Sequence, residues 1–148
     1  WSSESTMISE INALASLAHW VLPGLSEGQL LTGREAPADI AAFYLDLGVE
    51  AVVIKLGAHG AYYRTALDQG FVAAVPVRKV VDTVGAGDGF AVGVISGLLE
   101  GKSTIETVTR GNAIGALQVM SPGDMDGMPS RKKLQDFIES QNELLNVE

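Results

Sequence analysis

A glycine-rich stretch with an acid inside it, residues 82–90 (DTVGAGDGF), combines the residue types best suited to chemistry in this sequence. Gly85, Gly87 and Gly89 alternate with other residues there, and a helical pattern of apolar residues begins at Phe90. Glycine lets backbone amides turn toward a ligand, and the first residues of a helix present unpaired N–H groups with partial positive charge. The stretch therefore predicts a site that binds an anion such as a phosphate group.

Asp88 lies inside this predicted site, where its carboxylate would repel a phosphate group. One interpretation is structural, because a carboxylate near a helix N-terminus complements the helix dipole and stabilises the fold by about 0.3–1 kcal/mol. The other is chemical, since an acid kept there despite the repulsion is readily explained as a general base. The residue types alone leave both interpretations open.

The hydrophobic pattern places this stretch between a strand and a helix of an α/β fold. It predicts a first helix capped by Ser3 or Ser5, further helices over 25–31, 38–47, 86–100, 104–120 and 130–145, and strands over 20–22, 51–54, 61–64, 71–74 and 77–81. The near-continuous apolar run at 51–54 is typical of a parallel strand covered on both faces. We therefore expect a mainly parallel sheet flanked by helices.

Composition excludes several classes of function. The 148 residues are 47% hydrophobic and 19% charged, which fits one globular domain. A net charge of −8 argues against nonspecific binding to nucleic acid or anionic membranes, but not against one small anionic ligand. The absence of cysteine, of a long apolar run and of an early basic residue fits a cytoplasmic protein without a membrane segment or signal peptide.

Two familiar phosphate-binding motifs nearly match and are excluded. Residues 85–90 begin like a dinucleotide fingerprint, but Phe90 occupies the third glycine position. Residues 101–103 resemble the end of a P-loop, but Ser96 occupies the position of its first glycine.

Residues 82–90 resemble the second signature of the ribokinase-like (PfkB) carbohydrate kinase family, in the pattern Asp-Thr-x-Gly-Ala-Gly-Asp-x-Phe. Three further segments are similar to that family: 22–33 to its Asn-x-x-Glu segment, 55–60 to its nucleotide-binding turn, and 111–129 to its adenine-side helix and loop. The resemblance covers the chain from about Trp20 onward. Within the family, the opening Trp1-Ser2-Ser3 and residues 85–93 point to the 2-keto-3-deoxygluconate kinase branch.

This resemblance implies the C-terminal part of a ribokinase-like fold. Family members are longer, and their N-terminal half carries the first glycine-rich signature, most sugar contacts and a lid. We therefore expect residues 1–148 to form a single partial domain that carries the ATP side and the catalytic base.

The resemblance also assigns the glycine-rich stretch its roles. Asp88 would be the general base that takes the proton from the attacking substrate hydroxyl. Gly85, Ala86 and Gly87 would supply amides to the charge on the transferring phosphoryl group. Apart from the resemblance, Gly89 stands where a better helix former would stabilise by about 1 kcal/mol, which indicates close approach of the backbone to the substrate.

Nucleotide-binding residues are implied at two further places. Lys55, Gly57, Ala58 and Gly60 would line the phosphates and ribose of ATP, and Asn112 would lie near the adenine. Without the resemblance, residues 57–60 (GAHG) read as a hairpin turn that exposes the histidine, and the asparagine as an ordinary helix residue.

Metal-binding residues are implied as well. Glu27 would help to hold Mg²⁺ through water, although Gly24 stands where the family motif has its asparagine. Asp82 and the carbonyl of Val84 fall where relatives bind a monovalent cation such as K⁺.

The function implied by the resemblance is ATP-dependent phosphorylation of a sugar or sugar-acid hydroxyl by the full-length protein. 2-Keto-3-deoxygluconate is the favoured acceptor, fructokinase and ribokinase specificities are the near alternatives, and a homo-oligomer is compatible with this function. An alternative of another class is a catalytically inactive nucleotide-binding fragment or regulatory module.

Overall fold

The computed structural model describes residues 3–77, 79–123 and 125–145 of the chain. Trp1 and Ser2, on which part of the branch assignment rests, lie outside the described residues. The chain divides into two compact units, Trp1–Val72 and Ala73–Glu148, which are described in turn.

The first unit contains three helices and four strands. They are α1 (Glu4–Ala15), β1 (Trp20–Val21), α2 (Leu25–Thr32), α3 (Pro37–Asp46), β2 (Ala51–Lys55), β3 (Ala61–Thr65) and β4 (Gln69–Val72), with a short 3-10 turn at Gly57–His59. Ser3 caps α1, since its Oγ accepts the Thr6 N–H at 3.1 Å. Pro37 begins α3, and Gly48, with φ of 96°, follows its end. Local sequence signals thus set these boundaries.

The sheet of the first unit has the order β1-β2-β3-β4. β1 pairs with β2 in parallel, but β2 with β3 and β3 with β4 are antiparallel. The expectation of a mainly parallel sheet is therefore wrong for the described residues, although the α/β class is confirmed. The reason is connection length, because the short links at 56–60 and 66–68 can join only antiparallel neighbours.

The core of the first unit lies between α3 and the sheet. Ile40, Ala41 and Tyr44 of α3 are buried in one cluster with Val52 and Ile54 of β2. Residues 51–54 are all buried, as their apolar run predicts. This packing fixes β2 and the turn that follows it.

The second unit contains α4 (Ala86–Leu99), α5 (Thr104–Val119) and α6 (Arg131–Leu145). α4 and α5 approach closely through glycine: a Cβ added at Gly93 would lie 2.6 Å from the Gly111 Cα and 2.7 Å from the Arg110 carbonyl oxygen. Ile114 and Leu117 of α5 also pack with Leu134 of α6. Helix packing therefore holds the first turn of α4 in place.

One predicted strand, over 77–81, is absent: the structure gives residue 77 and residues 79–81 no strand conformation, and Arg78 lies outside the described residues. The N–H groups of Val81 and Asp82 donate to the Val119 carbonyl, at 2.7 and 3.3 Å, rather than to a neighbouring strand. The β-branched run was misleading because its residues are held by the end of a helix, and Pro76 offers no N–H for a strand ladder.

Across the described residues, none of the helices combines the length and the apolar character needed to cross a membrane.

Candidate active site

The glycine-rich stretch forms the turn that begins α4. Gly85 is the N-cap with φ of 76°, a left-handed conformation that glycine adopts without strain. The amides of Gly85, Gly87 and Asp88 have no hydrogen-bond partner among the described residues, whereas the Gly89 N–H donates to the Gly85 carbonyl at 2.8 Å. Such unpaired amides at a helix N-terminus are free to bind an anion.

Asp88 occupies the first turn of α4 and is exposed. Its carboxylate makes no hydrogen bond or ion pair with any part of the chain that the structure describes. The side chain is therefore available to accept a proton, and its place in the first turn of α4 also lets it complement the helix dipole. This geometry fits a general base, and the assignment itself stays a prediction.

Asp82 and Val84 lie just before this turn. The Asp82 Oδ1 accepts the Val84 N–H at 3.0 Å, which makes a local turn centred on the carboxylate. Within the described residues, the Val84 carbonyl accepts no backbone N–H. One carboxylate and one free carbonyl are oxygen donors of the kind that K⁺ binds. The cation site itself stays a prediction.

Gly89 lies in the contact between α4 and α5. It is buried against α5, and a Cβ added there would lie 3.4 Å from the Gln118 Cβ and from the Ile114 Cγ2 and carbonyl oxygen. The glycine therefore lies in a helix contact, and its close approach to a substrate stays a prediction. A small side chain would fit there in ordinary contact.

In the first unit, a second group of predicted residues meets at the carboxyl ends of β1 and β2. The Lys55 N–H donates to the Pro23 carbonyl at 2.9 Å, and Gly24 forms a parallel bridge with Lys55. The N-terminus of α2 thus lies beside the turn that follows β2. Carboxyl ends of parallel strands are where ligands bind in open α/β sheets.

The turn at 57–60 offers further free amides. Gly57 and Gly60 have φ of 58° and 101°, and the Gly60 N–H donates to the Gly57 carbonyl at 3.1 Å. Among the described residues, the amides of Gly57 and Ala58 have no partner. The turn also joins antiparallel strands and exposes His59, so the interpretation as a hairpin turn is confirmed. The nucleotide contact stays a prediction.

Glu27 performs a structural task. Its Oε2 accepts the Gly24 N–H at 2.6 Å, which closes half of a capping box at the N-terminus of α2. The residue is exposed, and only one carboxylate oxygen is used in this bond. Burial, with a smaller contribution from the Glu27 charge, raises the pKa of Tyr44. Because the cap uses only one carboxylate oxygen, the other oxygen of Glu27 is free to bind a hydrated cation.

Asn112 is buried in α5, and its Nδ2 donates to the Ala73 carbonyl at 3.0 Å. The side chain thus holds the segment that begins the second unit. This contact is structural, and the predicted place near the adenine stays untested.

Sequence reasoning missed one supporting group, the Val119 carbonyl at the end of α5, which accepts the N–H groups of Val81 and Asp82. A backbone carbonyl leaves no signal in residue type, so nothing in the sequence could have identified it.

A hydrated Mg²⁺ ion fits the oxygen donors that the described residues offer. No group of three or more His, Cys, Asp or Glu side chains gathers in the described part of the chain. Mg²⁺ usually keeps several waters and takes one or two carboxylates together with substrate phosphates, so a single free oxygen on Glu27 fits it. In the first unit, the unpaired amides of Gly57 and Ala58 are of the kind that binds a phosphate group. In the second unit, the same is true of the unpaired amides of Gly85, Gly87 and Asp88.

Known proteins resemble this chain in sequence and in structure. The model of the pfkB family of carbohydrate kinases matches residues 1–131. The 2-dehydro-3-deoxygluconokinase of Bacillus subtilis (strain 168) is 57% identical over 141 residues, which cover 95% of this chain and 44% of that protein.

Solved structures give the same fold. The PfkB protein from Polaromonas sp. JS666 is 46% identical with a TM-score of 0.78, over 92% of this chain and 42% of the other. A protein assigned as a ribokinase II of E. coli, solved with ATP and Mg²⁺, is 31% identical with a TM-score of 0.85, over 92% of this chain and 44% of the other. The chain therefore spans less than half the length of these relatives. It belongs to the pfkB family of carbohydrate kinases.

Proposed function

We propose that the full-length protein transfers the γ-phosphate of ATP to a hydroxyl of a sugar acid, with 2-keto-3-deoxygluconate as the favoured acceptor. This chain would be the partial domain that holds the ATP side and the catalytic base. The observation that carries the proposal is the pairing of an unpartnered, exposed carboxylate at Asp88 with free amides on either side of Ala86.

Asp88 would act as the general base. It accepts the proton of the acceptor hydroxyl while the hydroxyl oxygen forms a bond to the γ-phosphorus and the bond to the ADP oxygen breaks. A base of this kind typically contributes about 10²–10⁴-fold in rate. The α4 amides at 85–88, including those of Gly85, Ala86 and Gly87, would stabilise the negative charge on the transferring group.

ATP and Mg²⁺ are the proposed substrate and cofactor. Lys55, Gly57, Ala58 and Gly60 are the proposed nucleotide residues of the first unit, and Asn112 that of the second. Mg²⁺ would neutralise phosphate charge, with Glu27 as its protein-side acceptor of coordinated water. The structure of a relative with ATP and Mg²⁺ supports this choice. A K⁺ site at Asp82 and Val84 is proposed on the same oxygen donors.

The acceptor preference rests on similarity. The protein named 2-dehydro-3-deoxygluconokinase, in which 2-dehydro and 2-keto denote the same group, is 57% identical to this chain. The relative assigned as a ribokinase II is 31% identical, which keeps ribokinase specificity as the second candidate. Fructokinase specificity is the remaining near alternative.

The experiment is an ADP-release assay with the full-length protein, ATP and Mg²⁺ against 2-keto-3-deoxygluconate, gluconate, ribose and fructose. We expect the highest kcat/KM for 2-keto-3-deoxygluconate. A higher kcat/KM for ribose or fructose would replace the proposed acceptor, and no turnover of any sugar would leave a nucleotide-binding or regulatory role.

A further inference from the structure

A groove within the second unit lies between α4, α5 and α6. Its volume of about 530 Å³ is within the range of sites that bind small molecules. Its charged side includes Glu100, which ends α4, Arg110 of α5 and Arg131, which begins α6. Its apolar side includes Val92 and Leu99 of α4. The proposed phosphoryl transfer uses none of these residues.

Arg110 carries the least exposed charge of the groove, since its side chain is 11% exposed and that of Arg131 is 92% exposed. The Arg110 Nη2 donates to the Glu100 Oε2 at 2.8 Å, and its Nη1 donates to the Ser96 Oγ at 3.3 Å. A guanidinium has five N–H donors, so three have no protein partner within the described residues. A planar set of free N–H donors suits an anion with two oxygens.

The charges beside Arg110 leave a positive surplus. The Arg131 Nη2 lies 3.7 Å from the Glu100 Oε1, so Glu100 faces two guanidinium groups. Its hydrogen bond from Arg110, together with the charges of Arg110 and Arg131, holds the pKa of Glu100 below its ordinary value of 4.5. Lys132 also lines the groove, but its Nζ is paired with the Asp136 Oδ2 at 2.7 Å. Two guanidinium groups and one carboxylate leave one positive charge, in a chain whose net charge is −8.

The apolar side of the groove presents hydrophobic surface to solvent. Leu99 is 84% exposed and Val92 is 45% exposed, and the buried Ile114 and Leu134 also line the groove. A ligand with an apolar body would remove part of this surface from water. A surplus of one charge beside an apolar wall therefore matches a ligand that carries one negative charge on an apolar body.

The groove and the proposed general base lie toward opposite ends of α4. Glu100 follows Asp88 by twelve residues, which at 1.5 Å per residue is about 18 Å along the helix axis. An anion held beside Glu100 would therefore not occupy the free amides at the start of the helix.

We propose that this groove binds an organic carboxylate with an apolar body. The carboxylate accepts hydrogen bonds from the free N–H donors of Arg110 beside Arg131, and the apolar body covers Val92 and Leu99. The inference goes beyond the proposed function and does not rest on it, because the ligand differs from both ATP and a polar sugar acid.

The test is an NMR titration of the full-length protein with hexanoate as the probe. Hexanamide has the same apolar body without the charge, acetate has the carboxylate without the body, and inorganic phosphate is an anion without an apolar part. We expect hexanoate to bind at least roughly tenfold more tightly than hexanamide, because a hydrogen bond to a charged group is worth that factor or more. Acetate and phosphate should also bind more weakly than hexanoate, since they bury little apolar surface.

Two variants locate the site. Arg110→Lys keeps the charge but loses the planar donors, so the Kd for hexanoate should rise roughly five- to tenfold while that for hexanamide stays the same. Arg131→Gln changes an exposed side chain, which keeps the fold intact, and should raise the Kd for hexanoate roughly two- to fivefold. Lys133→Gln is the matched control, because it removes one exposed positive charge of α6 outside the groove lining and should leave the Kd unchanged.

Saturation with a non-hydrolysable ATP analogue and 2-keto-3-deoxygluconate should leave hexanoate binding unchanged, and this result would stand even if the protein phosphorylated no sugar. Displacement of hexanoate by either ligand would overturn the inference. Absence of hexanoate binding, equal binding of hexanamide, or tighter binding of phosphate would also overturn it. Where Arg110→Lys weakens hexanoate and hexanamide alike, Arg131→Gln decides, and a Kd equal to that of Lys133→Gln would contradict the proposed site.

Discussion

Glu27 combines a structural contact with a proposed cofactor role in one side chain. Its Oε2 closes the N-terminus of α2 through the Gly24 N–H, and the family motif has an asparagine where this chain has Gly24. A glycine N-cap contributes no side-chain acceptor, so the helix end depends more on Glu27. The two tasks can be separated by removing the charge while keeping the cap.

We predict that Glu27→Gln in the full-length protein raises the Mg²⁺ concentration needed for half-maximal activity while leaving the melting temperature unchanged. Glutamine closes a capping box as glutamate does, but it has no charge to attract a hydrated cation. The measurement is a Mg²⁺ titration of the initial rate at saturating ATP.

Glu27→Ala serves as the comparison, because it removes both the charge and the cap. We expect the same weaker response to Mg²⁺ and, in addition, a loss of stability of about 0.5–2 kcal/mol. An unchanged Mg²⁺ requirement in both variants would show that Glu27 caps the helix and has no role in binding Mg²⁺.

At the scale of elements, the N-terminus of α5 carries a complete capping box. The Ser103 Oγ accepts the Glu106 N–H at 3.3 Å, and the Glu106 Oε2 accepts the Ser103 N–H at 3.0 Å and its hydroxyl at 2.6 Å. The hydrogen bonds from the Ser103 hydroxyl and backbone hold the pKa of Glu106 below its ordinary value of 4.5. The folded state therefore prefers the carboxylate.

This depressed pKa predicts how stability depends on pH. Because the unfolded chain binds the proton more readily, the contribution of Glu106 is present above pH 4.5 and is lost as pH falls through the lowered pKa. Glu106→Gln should flatten the fall of the melting temperature below pH 4.5, measured by circular dichroism. Glu10→Gln, at an exposed position with no partner among the described residues, should leave the fall as in the wild type.

The glycine contact between α4 and α5 predicts that the effect of a glycine-to-alanine substitution on stability depends strongly on its position. Gly93→Ala should destabilise the protein by about 1–3 kcal/mol, because its Cβ would lie 2.6 Å from the Gly111 Cα and force the helices apart. Gly115→Ala is the control, since its nearest contact would be an ordinary 3.4 Å and alanine favours the helix by about 1 kcal/mol. Chemical denaturation of both variants measures the difference, and equal stabilities would contradict the close approach.

Most elements of this fold could be predicted from sequence because their ends carry local signals. The Ser3 cap, Pro37 and the glycines after the helices mark boundaries that the structure reproduces within a few residues. The strand predicted at 77–81 was wrong. Its valines follow a β pattern, but the N–H of Val81 donates to the Val119 carbonyl at the end of α5 and not to a neighbouring strand. The prediction of a mainly parallel sheet was wrong, because the direction of pairing depends on the lengths of the connections and not on the apolar run at 51–54.

At the scale of the whole molecule, the site could be predicted only in part. The free amides beside Asp88 follow from glycine spacing, so the sequence signal was sufficient there. The burial of Gly89 against α5 depends on helix packing, which no local pattern encodes. Contacts made by backbone carbonyls, such as that of Val119, are invisible to any pattern of residue types.

The length of the chain relative to its relatives yields a prediction of its own. Residues 1–148 cover 42–44% of the chain length of the relatives described above. We expect the isolated 148-residue chain to turn over no sugar, because the family resemblance implies that most sugar contacts lie in the part of the relatives that this chain does not span. The ADP-release assay on the purified chain, beside the full-length protein, checks this, and turnover by the chain alone would disprove it.

The most direct test of the central claim is Asp88→Asn in the full-length protein, measured for both sugar phosphorylation and ATP binding. Asparagine keeps the size of the side chain but cannot accept the hydroxyl proton. We predict a fall in kcat of about 10²–10⁴-fold, with the Kd for ATP equal to or lower than that of the wild type, since a charge that repels phosphate is removed. A kcat within a few-fold of the wild type would contradict the assignment of Asp88 as the general base.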